Sequence, residues 1–139
     1  MPETTAAEET VHVFLSYAFA DAKTAGEVMN LLRASVSEIE IWTPDSFAKP
    51  GKDWSKSIRE ALRDCDAVVL LLNQQSAKSA NVGIELGAAW GLGKRIVAIT
   101  TEEKTVLPFE LQGVQYISLA ELRKSPRRLG ASLRRALAS

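Results

Sequence analysis

In the stretch SANVGIELGAAWGLG, residues 79–93, Glu85 is the only charged side chain. Lys78 precedes it, and Lys94 and Arg95 follow. A carboxylate held among apolar residues can stabilise a positive charge that grows in a transition state, most strongly where water is scarce. It can equally serve structure. Near a helix N-terminus it interacts with the macrodipole, worth about 0.3–1 kcal/mol, and it can pair with Arg95 or another base. On a helical wheel Val82, Ala89 and Leu92 share its face, while Gly83, Gly87 and Gly91 form a separate stripe. Each glycine costs about 1 kcal/mol relative to alanine inside a helix. Three in one stripe therefore predict close approach of another backbone. Spacing alone leaves both readings of Glu85 open.

The elements that must position this residue follow from pattern. VHVFLSY (11–17) is rich in β-branched and aromatic residues and reads as a strand. Asp21 can cap a helix in which Ala25, Val28, Leu32 and Val36 recur at helical spacing. IEIW (39–42) is a short strand, and TPDSFAKPGKD (43–53), with two prolines and a glycine, is a loop. A second helix from Trp54 puts Ile58, Ala61, Leu62 and Cys65 on one face. AVVLLLN (67–73) and RIVAIT (95–100) are continuous apolar runs, as expected for strands covered on both faces. The Glu85 segment reads as a third helix ended by Gly93, VQYISL (114–119) as a fifth strand, and 120–138 as a closing helix. Trp42 and Trp90 read as core.

Strands alternating with helices predict an α/β, flavodoxin-like, doubly wound sheet of five parallel strands in the order 2-1-3-4-5. Residues 1–10 read as a disordered leader and 11–139 as one domain. In such a sheet, ligands sit beyond the carboxyl ends of the strands, here 17–21, 43–53, 74–82 and 101–113. The 43–53 loop is longer than the two to six residues usual for such connections.

Composition narrows the function. The chain has 139 residues and a formal net charge of zero, which leaves no whole-chain footprint for nucleic acid or an anionic membrane. A single cysteine, Cys65, excludes an intrachain disulfide and a cysteine-based zinc site. A single histidine, His12, argues against a histidine-based metal site or triad. No segment has the length and apolarity of a membrane span, and the acidic start MPETTAAEET is no signal peptide. The expected setting is cytoplasmic, with no metal and no cofactor. Residues 123–139 hold six basic side chains and no acidic one, and the leader holds Glu3, Glu8 and Glu9. Such asymmetry suits a solvated helix face, head-to-tail contacts or an acidic partner. Gly91-Leu92-Gly93 closes a helix rather than opening one, so it is no dinucleotide fingerprint.

Three pieces in order, FLSYAFAD (14–21), WTPDSFAKPGKDWSKSIREALRDCDAVVLLLN (42–73) and SAKSANVGIELG (76–87), make the chain resemble a bacterial-type TIR domain over about residues 11–119. NVGIELGAAWGLGK (81–94) is also similar to part of the nucleoside deoxyribosyltransferases and their nucleotide-binding relatives. The first resemblance implies an NAD-consuming enzyme with Glu85 as its catalytic glutamate. NAD would be a substrate rather than a cofactor. It further implies self-association through the 43–53 loop, a setting in bacterial defence or signalling, and a possible separate sensor or effector protein. Breaking the nicotinamide–ribose bond develops an oxocarbenium-like cation, as in glycoside hydrolysis. Nicotinamide leaves neutral, so one carboxylate suffices.

The same resemblance weighs other residues. Asn81 stands four before Glu85, where many NAD-cleaving members carry tryptophan; it either caps the helix or bonds a ribose. Tyr17 and Phe19 either pack at the end of the first strand or stack on adenine. Asp45 is a turn residue or a ribose ligand, and Trp54 a helix-start residue or a cover for the site. Phe47 and Pro50, in the long loop, are interface candidates. Two competing readings remain: a non-catalytic scaffold acting by TIR–TIR contact, and a nucleoside- or nucleotide-processing domain.

Overall fold

Apolar runs that bury both faces generate the sheet. The computed structural model describes residues 10–43, 54–73, 87, 89–101 and 114–138, and within these not the side chains of Phe19, Trp54 and Ser55. Five parallel strands, β1 (Val11–Ser16), β2 (Ile39–Trp42), β3 (Ala67–Leu72), β4 (Arg95–Thr100) and β5 (Val114–Ser118), lie in the order β2-β1-β3-β4-β5. Among the described residues four helices accompany them: α1 (Ala22–Ser35), α2 (Trp54–Asp64), α3 (Leu119–Lys124) and α4 (Arg127–Ala138). A 3-10 turn, Phe19–Asp21, leads into α1, and residues 87 and 89–91 are helical. The expected order and parallel sense hold, and β2 and β4 have the expected bounds.

Side-chain alternation splits the core in two. Val13, Leu15, Val69, Leu71, Val97 and Ile99 meet α1, α3 and α4 on one face. Phe14, Val68, Leu70, Leu72, Ile96 and Ala98 meet α2, Cys65 and Ala89 on the other. All six residues of β3 are buried, as the uninterrupted run AVVLLL requires.

Four expectations need correction. The closing segment is two helices, because Pro126 has no N–H and its ring clashes with a continuing turn; Ser125 ends α3 with its N–H on the Glu121 carbonyl, 2.9 Å away. Trp90 is not core but 53 % exposed. Ala89 is fully buried, and the next residue is turned about 100° around the axis, so it faces outward. Trp42 is only half-buried; its Nε1 donates to Glu40 Oε1 (2.9 Å), and its ring lies 5.1 Å from that of His12. The close backbone approach expected of the glycine stripe is not found at Gly87 or Gly91, and Gly83 lies outside the described residues. A Cβ on Gly87 or Gly91 would meet nothing within 4 Å, since Ala89 makes the buried contact instead. Gly93 does end the helix, at φ 70°.

The glycine that close packing demands is Gly130 on α4. A Cβ there would lie 2.9 Å from Ser35 Cβ and 3.0 Å from the Ser35 carbonyl oxygen, where α1 ends. Ser35 Oγ also donates to the Pro126 carbonyl at 3.0 Å. Gly130→Ala is therefore expected to cost about 1–3 kcal/mol by overpacking. Gly87→Ala and Gly91→Ala are expected to gain about 0.5–1 kcal/mol from helix propensity. Urea denaturation of the three variants checks both signs.

Candidate functional site

In the order 2-1-3-4-5 the chain reverses direction across the sheet between β1 and β3, which in doubly wound sheets is where the ligand crevice lies, beyond the carboxyl ends of the strands. The residues at that place are polar. Ser16 ends β1 opposite Leu70 of β3. Its side chain is fully buried, and its Oγ has no hydrogen-bond partner among the described residues. A buried hydroxyl left unpaired costs about 1–3 kcal/mol. Just beyond β3, Asn73 Nδ2 donates to Asp21 Oδ1 at 2.8 Å, joining the two sides of the crevice across 52 residues of chain. Asp21 occupies the N-cap position of α1 but makes no side-chain cap bond. Its carboxylate is turned to Asn73 instead, which corrects the capping role expected for it. Thr101, after β4, continues the edge with its N–H on the Leu72 carbonyl at 2.9 Å.

Few of the residues singled out in the sequence fall among the described ones. Tyr17 is half-buried and packs against the cluster on the α1 side of the sheet, in line with its packing reading. Phe19 lies in the 3-10 turn and Trp54 opens α2, both with side chains outside the description. Glu85, Asn81, Asp45, Phe47 and Pro50 lie outside the described residues. Both ends of the connection that contains Glu85 are described. Asn73 stands at the carboxyl edge, and Ala89 is buried on the same face of the sheet as Phe14 and Leu70. Sequence reasoning missed Ser16 and Asn73 because it assigned them to the last positions of strands. The rule that ligands gather at carboxyl ends reaches one residue further back than the loops.

The other chemistry-bearing side chains lie elsewhere and are structural. His12 is the second residue of β1, at the amino end, its ring 3.3 Å from Glu40 and 3.6 Å from Asp66, and its backbone N–H donates to Asp66 Oδ2 at 2.8 Å. Burial pushes the Cys65 thiol up to about 11, and its Sγ donates to the Leu62 carbonyl at 3.2 Å. A thiol held protonated in this way is no nucleophile. Lys94 donates to the carbonyls of Arg63 and Cys65 where α2 ends. Arg95 Nε donates to the Ala136 carbonyl at 3.2 Å, near the end of α4, so this base serves a helix C-terminus. Among the described residues, no helix is long and apolar enough to cross a membrane.

Comparison with known proteins follows the fold. A family model for the TIR domain matches residues 13–133. Three solved structures are similar. The TIR domain of the Toll-related receptor TRR-2 from Hydra magnipapillata has a TM-score of 0.68 at 20% identity, covering 88% of this chain and 97% of that one. The CMP N-glycosidase BcmB from Clostridium botulinum has a TM-score of 0.61 at 21% identity, covering 85% and 97%. A prokaryotic SEFIR domain has a TM-score of 0.65 at 15% identity, covering 89% and 92%. No curated protein matches the chain.

Two stability measurements test the site. Ser16→Ala is expected to leave the unfolding free energy unchanged or raise it, because it deletes an unpaired buried hydroxyl, whereas Asn73→Ala should lower it by about 0.5–1.5 kcal/mol. A third test concerns Cys65. Its thiol is expected to react with a disulfide reagent at roughly pH 8 only after denaturation, because the buried thiol does not ionise there. Fast reaction of the native protein would contradict its burial.

Proposed function

The chain belongs to the TIR domain family, matched over residues 13–133, and on that premise we propose that it cleaves the nicotinamide–ribose bond of NAD+. The products are nicotinamide and ADP-ribose or a cyclic isomer of it. The observation that carries this reading is the set of polar groups at the carboxyl ends of β1 and β3: Asp21 and Asn73 bonded at 2.8 Å, and the buried hydroxyl of Ser16 at the end of β1. These groups have the chemistry to hold ribose hydroxyls. Glu85 lies in the connection that leaves β3 beside them. A solved protein of the same fold is a CMP N-glycosidase, which supports an N-glycosidic bond as the target and makes CMP the competing substrate to test.

The mechanism follows from charge. As the bond lengthens, positive charge spreads over the ribose ring oxygen and anomeric carbon. The ionised Glu85 carboxylate faces that charge and stabilises it; protonated, it does not. The pyridine ring was cationic and departs neutral, so no acid is needed. Water or the adenine of the same molecule then captures the ribosyl cation, giving the linear or the cyclic product. Tyr17, Phe19, Trp54, Asn81 and Asp45 are the further candidates for holding the dinucleotide. Self-association through the 43–53 loop, with Phe47 and Pro50, would switch the activity on, and a heterologous contact of that kind builds filaments or rings. The setting fits bacterial defence or signalling in the cytoplasm.

A second reading rests on Trp90 and Leu92, which are 53% and 49% exposed at a helix end. Large apolar side chains left in solvent are candidates for an interaction surface. In this reading the domain is a non-catalytic scaffold that works by TIR–TIR contact.

One experiment separates them. Purified protein is incubated with NAD+ and, in parallel, with CMP across a range of protein concentrations, and the products are resolved by chromatography. Nicotinamide release is expected, rising faster than linearly with protein. Glu85→Gln should reduce it by about 10²–10³-fold without shifting the melting temperature. Cytosine release without nicotinamide release would replace NAD+ by a nucleotide substrate. Undiminished turnover by Glu85→Gln would remove the glutamate from the mechanism. No turnover of either substrate, with self-association lost in Trp90→Ala, would favour the scaffold.

A further inference from the structure

At the β5 edge of the sheet, α4 and β5 enclose a cavity of about 300 Å³ lined by Gln115, Tyr116 and Ile117 from the strand and Arg128, Ala131, Ser132 and Arg135 from the helix. Its volume is at the lower end of small-molecule sites. β4 separates β5 from β3, so the cavity lies about 10 Å of strand spacing or more from the β1/β3 crevice. We propose that this cavity binds a small phosphate-bearing anion, gripped by Arg128 and Arg135.

The helix periodicity makes the site. Residues 128, 131, 132 and 135 recur at helical spacing and share one face of α4. Leu129, Leu133 and Ala136 turn into the core and fix the helix in rotation. The two guanidinium-bearing residues are two turns apart, about 10.5 Å along the axis. Between them Ala131 and the nearly buried Ser132 form a low floor. The Gln115 amide is not available to a ligand: in the orientation that satisfies both its ends it donates to the Ser132 carbonyl at 3.2 Å and accepts from the Ala136 N–H at 3.3 Å. That bond ties β5 to α4 and holds the walls in place.

Charge selects the ligand. A carboxylate has two coplanar oxygens, which one guanidinium fork satisfies. Phosphate and diphosphate groups carry oxygens in several directions and can engage both forks at once. Besides these two arginines, residues 123–139 carry Arg123, Lys124, Arg127 and Arg134 and no acidic residue, which raises the anion concentration nearby. Arg128 Nη1 is held by Glu121 Oε2 at 2.8 Å, with both side chains about half exposed. Such surface pairs contribute little, so an incoming phosphate can displace the carboxylate. Glu121 is then a competitor for the site, and this gives the test its sign.

Isothermal titration of the full chain with inorganic pyrophosphate at low ionic strength reads the site directly. Saturable binding is expected, weakened at least about tenfold by Arg128→Gln or Arg135→Gln, as for loss of a charge-assisted bond. Arg134→Gln, an equal charge change on the same helix outside the cavity, should leave it nearly unchanged. Glu121→Gln should tighten it. Circular dichroism confirms that each variant is folded. Absence of saturation, equal weakening by Arg134→Gln, or weaker binding in Glu121→Gln overturns the proposal. So does tighter binding, through the same two arginines, of a synthetic peptide of residues 1–10, which would make the cavity a docking point for acidic chain.

Discussion

The structure depends on burial of both faces of β3 and β4. β3 and the inner part of β4 are covered on each side, and their side chains alternate between two separate clusters. Each fully buried aliphatic side chain contributes about 1.5–3 kcal/mol, so this arrangement outweighs any single polar contact. It also dictates where polar chemistry can occur. With both faces sealed, ligands meet the sheet only at its ends, and the crevice opens where strand order reverses.

At that crevice the protein tolerates what its core does not. Ser16 is the last residue of a strand whose other buried positions are apolar, and its hydroxyl has no partner among the described residues. Asp21 leaves a helix N-terminus uncapped by its side chain and joins Asn73 instead. Both arrangements give up local stability at one place, a pattern expected where a ligand completes the hydrogen bonding. The opposite end of the sheet shows the contrary habit. There His12, Lys94 and Arg95 each meet an acceptor, so that end is finished as structure.

The surface carries two further features that the core does not explain. Trp90 and Leu92 stand exposed after a buried Ala89, and the cationic face of α4 borders a cavity at the β5 edge. The bidentate Arg123–Glu27 contact, with both bonds at 2.8 Å, fastens α3 to α1 and lowers the Glu27 carboxyl below its usual range through that hydrogen bond. Arg123 does not line the cavity, whereas Arg135 and Arg128, the latter paired with Glu121, do. Position on the helix, rather than the count of basic residues, separates a structural arginine from one placed for a ligand.

The sequence by itself determined the strand order, the parallel sense, the bounds of β2 and β4 and the family. These follow from period and continuity of apolar residues, which are local properties: IEIW, AVVLLL and RIVAIT each admit one reading as strands. Helix breaks were less legible, because apolar spacing continues through Ser125-Pro126 although the backbone does not. Tertiary structure alone decided the rest. It paired Asp21 with Asn73, turned Trp90 to solvent and made Gly130, rather than Gly87 or Gly91, the point where two backbones meet. Each depends on which element lies opposite, 52 residues away for Asp21 and Asn73. Residue spacing within one segment carries no information about that neighbour.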